Sequence, residues 1–126
     1  MSLKEYFEGT KGFGVLATAS ADGAVDVAVY ARPHVIDEET VAFIMADRLS
    51  HSNLQSNPQA AYLFREGAGG YAGKRLHLTQ VNEETDAEKI NALRRRKAPI
   101  ACEPGEGEAR YLVTFHVDRA RPLVGD

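Results

Sequence analysis

The sequence predicts a small, mainly β domain in which six short antiparallel strands close into a barrel, with two or three short helices. Three observations predict it. Apolar or alternating runs of strand length recur along most of the chain. Turn signals built from Gly, Asp and Pro separate them at close spacing. At 126 residues the chain forms one domain without internal repeats, and closing so many short strands removes vulnerable sheet edges.

Taken in order, residues 4–8 read as a short helix closed by Gly9. Residues 12–20 form the first strand, small and apolar enough to be buried on both faces. Asp22-Gly23 is a strong hairpin signal. The second strand alternates cleanly: Val25, Val27, Val29 and Ala31 point one way, and Asp26, Ala28, Tyr30 and Arg32 the other. Asp26 is expected to pair with Arg32. Pro33 cannot donate to a ladder, so 32–34 is an edge or a bulge before Val35-Ile36 resumes the strand. Residues 41–46 make the third strand and 60–65 the fourth. The glycine-rich 66–73 lacks the strand-loop-helix setting and the Gly-Lys-Ser/Thr ending of a phosphate loop, so it reads as a flexible turn. Residues 74–81 are the fifth strand, Leu76 and Leu78 opposing His77 and Thr79. Thr85-Asp86-Ala87-Glu88 reads as a capping box opening a helix over 87–96, with Arg94-Arg95-Arg96-Lys97 suited to the dipole at its end and Pro99 stopping it. Residues 103–108 are an acidic loop, and 110–117 the sixth strand.

Bulk composition narrows the function. Lys plus Arg number 15 against 18 Asp plus Glu, so a net charge of −3 offers no general attraction to nucleic acid or acidic membrane. The basic run at 94–97 has no interleaved aromatics for base stacking. One cysteine, Cys102, allows neither an internal disulfide nor thiolate metal ligation through paired cysteines. No signal peptide or membrane-spanning run is visible, and a reducing cytoplasm is the default expectation. His34, His51, His77 and His116 lie in separate elements without metal-ligand spacing. No nucleophile elbow, zinc-binding helix, dinucleotide fingerprint or paired acid–base carboxylates appear. An enzyme of this composition would leave the hard chemistry to a cofactor.

The decisive stretch is Asp47-Arg48-Leu49-Ser50-His51-Ser52-Asn53-Leu54-Gln55-Ser56-Asn57-Pro58, between two apolar strands. Ser50 is the expected N-cap and Asn57-Pro58 the stop. A strand feeding a short helix whose first turn offers N–H groups, hydroxyls and an arginine is an anion site. The same residues also read as an ordinary capped connector.

Gly14-Val15-Leu16-Ala17-Thr18 with Asp22-Gly23, the apolar run 41–46 and, above all, the run 48–58 resemble the FMN-binding split β-barrel proteins related to pyridoxamine 5′-phosphate oxidase. The resemblance covers about residues 5 to 81. It implies a six-stranded split barrel and a homodimer with FMN in a cleft at the interface. It places the isoalloxazine ring along Ala28-Val29-Tyr30, and the phosphate at Arg48, Leu49, Ser50, His51, Ser52 and Asn53. Met45 and Ala46 would flank the ribityl chain, and Lys74 and Arg75 would add positive charge, from the partner subunit if not from the same one. The sequence departs from the pattern at Ser50, where many members carry Lys. It has no Trp, and it lacks the C-terminal substrate segment of the true oxidases, so pyridoxamine-phosphate oxidation is not expected.

Three functions follow. The first is an FMN-dependent oxidoreductase acting on a small molecule. The second is a non-catalytic FMN electron carrier or flavin sensor. The third is a barrel binding haem or another ligand, in which His51 or His116 would be the axial group.

Overall fold

The computed structural model describes residues 2–94 and 110–125. In chain order the elements are α1 (Leu3–Gly9), β1 (Gly12–Ala19), β2 (Val25–Val29), β3 (His34–Asp37), β4 (Thr40–Ala46), α2 (Leu49–Ser56), β5 (Gln59–Glu66), β6 (Gly73–Glu84), α3 (Ala87–Arg94) and β7 (Arg110–Pro122). The strands form one sheet in the order β2-β1-β5-β6-β7-β4-β3, and every neighbouring pair is antiparallel. No described helix is long and apolar enough to cross a membrane.

The sheet is curled but not closed. Its two edges, β2 and β3, are consecutive in the chain, joined only by Tyr30–Pro33. So short a link spans at most about 18 Å, which brings the edges face to face across a seam. This is where the described residues form seven strands in place of the expected six. Residues 25–36 do not continue as one interrupted strand, because Pro33 cannot extend a ladder. Arg32 turns away as well: its Nη1 donates to the carbonyls of Phe7 (2.8 Å) and Thr10 (3.1 Å), placing a cation on the C-terminal carbonyls of α1. It thus serves α1 where a pairing with Asp26 was expected.

Inward-facing side chains fill the barrel: Leu16 from β1, Tyr62 and Phe64 from β5, Leu76 and Leu78 from β6, Val113 and Phe115 from β7, and Val41, Phe43 and Met45 from β4. The aromatic rings meet edge to face, Phe7 to Phe64 at 5.3 Å and Tyr30 to Phe43 at 5.8 Å between centroids, the geometry their quadrupoles favour. Helix α1 covers one end of the barrel with Phe7, and α2 covers the other with Leu54. On the outside, Ile90 and Leu93 of α3 pack on Ala42, Ile44 and Leu112 of β4 and β7.

Two glycines are there for space. A Cβ on Gly14 would overlap the Tyr62 hydroxyl, and one on Gly12 the Phe64 ring and the Arg65 carbonyl. The vacant volume at Gly14 lets the buried Tyr62 hydroxyl cross to the Tyr30 carbonyl at 3.0 Å.

Element boundaries shift where side chains outcompete pattern. Ser2 and Glu5 form a reciprocal capping box, so α1 begins before residue 4. At α3 the cap is Asp86 and not Thr85: its Oδ1 accepts from the amides of Glu88 (3.0 Å) and Lys89 (3.3 Å). Strands β6 and β7 pair well beyond residues 81 and 117. Arg95, Arg96, Lys97, Pro99, Cys102 and the acidic stretch 103–108 lie outside the described residues.

Candidate functional site

Strand β4 ends in Met45 and Ala46, both buried, and the chain turns directly into α2. The Arg48 amide donates to the Ala46 carbonyl at 2.9 Å, and the Ser52 amide to the Arg48 carbonyl at 2.9 Å. Arg48, not Ser50, is therefore the N-cap, in extended backbone, and its side chain makes no capping hydrogen bond. An arginine offers no acceptor for the first helical amides, so the cap residue itself leaves the positive end of the helix uncompensated. The expected cap fails because Ser50 lies inside the first turn and is buried.

Below the first turn the helix is anchored. Asn53 Nδ2 donates to Thr18 Oγ1 at 3.0 Å, both residues buried, tying α2 to β1. Ser56 Oγ accepts from the Ala21 amide at 3.2 Å, holding the β1–β2 hairpin to the same helix. Asn57 closes α2, its amide donating to the Asn53 carbonyl. Leu49 and Ser52 remain exposed beside Arg48.

His51 has a different setting from the one expected of a phosphate partner. Nδ1 stands 3.0 Å from Asp47 Oδ1 and Nε2 2.8 Å from Glu83 Oε1. Gln55 Nε2 donates to the same Glu83 oxygen at 3.1 Å and to the His51 carbonyl at 3.1 Å. The imidazole stacks on Tyr111 at 3.9 Å with planes 18° apart. With both nitrogens facing carboxylates, His51 presents neither to a phosphate or a haem iron. His116, exposed on β7, has its Nδ1 2.7 Å from Asp118.

Helix α2 also touches β2, an edge strand of the open sheet. An edge strand presents backbone donors and acceptors on its unpaired side. Of the residues expected along a ring, Ala28 is half-buried and Val29 faces outward, 39% exposed. Tyr30 is buried, its amide donating to the Gly14 carbonyl and its carbonyl accepting from Tyr62, so its backbone groups serve the fold.

Lys74 and Arg75 are not brought to α2 within the chain. They lie near the start of β6, nine and eight residues before the Glu83 that meets His51, a run of about 26–30 Å along the strand. Lys74 Nζ lies 4.7 Å from the Tyr6 ring centroid, and Arg75 donates to the carbonyls of Pro122 (2.9 Å) and Gly125. Glu83 and Tyr111 join the site without having been singled out from sequence, and Gln55 and Thr18, quoted within its motifs, without having been given a role there. Glu83 was hidden by ending β6 three residues early. Among the described residues no group of His, Cys, Asp and Glu is suited to a metal ion.

No family model matches the sequence, and no curated protein matches it either. Solved structures do. An FMN-binding protein of Syntrophomonas wolfei superposes with a TM-score of 0.74 at 14% identity, over 99% of this chain and 86% of the other. An F420 reductase gives 0.71 at 18% identity, over 93% and 94%. A Lactobacillus delbrueckii protein described as a candidate pyridoxamine 5′-phosphate oxidase gives 0.64 at 14%, over 86% and 83%. At these identities the likeness is one of fold: the chain has the split barrel of FMN-binding and pyridoxamine 5′-phosphate oxidase-like proteins, as its motifs led one to expect.

Proposed function

We propose that this protein is an FMN-binding flavoprotein, a homodimeric oxidoreductase acting on a small molecule in the cytoplasm. The observation that carries the reading is the start of α2: an N-cap arginine whose side chain makes no capping bond, on a helix that packs against β1 and the open edge strand β2. A dianionic phosphate fits an uncapped helix start flanked by Arg48 and Ser52, where amide dipoles and a guanidinium act together. The FMN phosphate would sit there, and the β2 edge would offer backbone groups to the ring. When bound, the flavin would supply hydride or electron transfer. The chain's own residues would bind, orient and shield it. Met45, Ala46 and Leu54 keep water from the underside of the site, and Asn53 fixes the helix to the barrel wall.

The dimer is proposed from the outer face of β2, β1 and β5. Val25 and Val27 are 81% and 66% exposed, and Phe13 and Leu63 lie on the same face. A contiguous apolar face of this kind is the mark of a covered surface, and a second copy would cover it while bringing its own Lys74 and Arg75 towards the cleft. A non-catalytic carrier or sensor would use the same binding site. Haem ligation through His51 loses support, since both of its nitrogens face carboxylates.

The test is a flavin titration of the purified protein, following absorbance and fluorescence with FMN and riboflavin in parallel. Tighter binding of FMN than of riboflavin is expected. Binding of neither overturns the reading. Turnover with a nicotinamide donor and a small acceptor then separates oxidoreductase from carrier.

A further inference from the structure

The network around His51 is costly to build and has no place in the phosphate site as described. A buried imidazole is fixed from three elements: by Glu83 of β6, by the Tyr111 ring of β7, and by its own helix, with Gln55 bridging to Glu83. Its remaining nitrogen holds Asp47, whose side chain is 65% exposed against 7% for His51. One partner is half-buried and the other is exposed.

Asp47 immediately precedes the N-cap of α2. A carboxylate at that point is drawn to the helix start by the same amide dipoles that would attract a phosphate. It is a rival for the site, carried by the chain itself. His51, on the flank of the first turn, holds that carboxylate at its Nδ1 instead, 3.0 Å away. The imidazole cannot follow Asp47 the other way, because Glu83 and the Tyr111 stack hold it.

We propose that His51 is a positioning residue that keeps the Asp47 carboxylate off the start of α2, so that the helix start stays open to the phosphate of the flavin. This rests on the FMN-phosphate reading. It differs from a simple staple between α2 and β6 in one respect: the harm of losing His51 is done by Asp47, and removing that charge repairs it.

The experiment uses the full chain as wild type, His51→Phe, Asp47→Asn and the double variant. His51→Phe keeps a ring against Tyr111 while deleting both hydrogen bonds. Each protein is titrated with FMN and with riboflavin, and the amide shifts of Leu49 and Ser50 are read by NMR without flavin. His51→Phe is expected to weaken FMN about tenfold while riboflavin changes less than about twofold. The double variant is expected to bind FMN within about threefold of wild type. The Leu49 and Ser50 amides move in His51→Phe and return in the double variant.

Equal loss of FMN and riboflavin in His51→Phe, or no recovery on adding Asp47→Asn, overturns the proposal. If wild type binds FMN no tighter than riboflavin, the phosphate reading has failed. The amide shifts then decide separately whether His51 restrains Asp47, and amides unmoved by His51→Phe overturn that too. Should His51→Phe not fold, His51→Gln carries the same test, because one amide cannot span both carboxylates.

Discussion

The Tyr62 hydroxyl donates to the Tyr30 carbonyl at 3.0 Å through the space left by Gly14. This bond ties the first residue of the link between the two edges to the interior strand β5. Burial raises the Tyr62 pKa well above that of an ordinary phenol, so the hydroxyl remains a donor throughout the accessible range. Tyr62→Phe leaves a buried carbonyl without its donor and is expected to destabilise the fold by about 1–2 kcal/mol. Gly14→Ala should cost more, and less in a Tyr62→Phe background where the overlapping hydroxyl is gone. Thermal or urea denaturation of the four proteins measures the coupling, and strictly additive losses would contradict it.

Arg48→Ala is expected to weaken FMN about tenfold through loss of a charge-assisted contact, while riboflavin binding holds. Only FMN carries the phosphate. Parallel fluorescence titrations check it, and equal losses for the two flavins would place Arg48 elsewhere.

Val27→Glu puts a charge in the middle of the exposed apolar face. A fold that already leaves Val27 66% exposed should tolerate it with a stability change within about 0.5 kcal/mol. Light scattering is expected to report a dimer for wild type and a monomer for the variant at micromolar concentration. A wild-type monomer that still holds flavin removes the dimer from the reading.

Where β6 and β7 pair, Thr79 Oγ1 donates to Asp118 Oδ2 at 2.6 Å, and His116 Nδ1 meets the other oxygen at 2.7 Å. The Thr79 and His116 bonds lower the Asp118 pKa below the ordinary 3.8. The Asp118 bond is the main cause raising that of His116 above 6.5. A lowered carboxylate stabilises the fold above pH 3.8 and loses that contribution as pH falls through the folded value. A raised imidazole stabilises below pH 6.5 and loses it as pH rises through the folded value. Both contributions are thus complete between pH 3.8 and 6.5. Being exposed, the trio shifts stability little. An NMR titration of His116 should show a raised midpoint that Asp118→Asn returns towards the ordinary value.

Much of the barrel was legible because strand alternation and turn chemistry act locally. The Asp22-Gly23 hairpin and the β4-α2-β5 succession follow from neighbours in sequence. What sequence could not show depends on distant partners. Residues 25–36 divide into two edges because Arg32 is claimed by the carbonyls of Phe7 and Thr10, some twenty residues earlier. Ser50 looked like a cap, yet the turn out of β4 makes Arg48 the first residue of the helix start. His51 looked like a phosphate partner until Glu83 and Asp47 arrived at its two nitrogens from opposite sides.

The position of β7 between β6 and β4 governs how the sheet can be assembled. Without it, two ladders stand apart: β2-β1-β5-β6 on one side and β3-β4 on the other, joined by loops and helices but by no strand-to-strand register. The latest strand in chain order is the keystone. Everything before it can pair locally and then must wait, because the longest-range contacts close last. Interrupted synthesis or proteolysis within β7 should therefore leave both inner edges of the ladders exposed at once, a state prone to pairing between chains rather than within one.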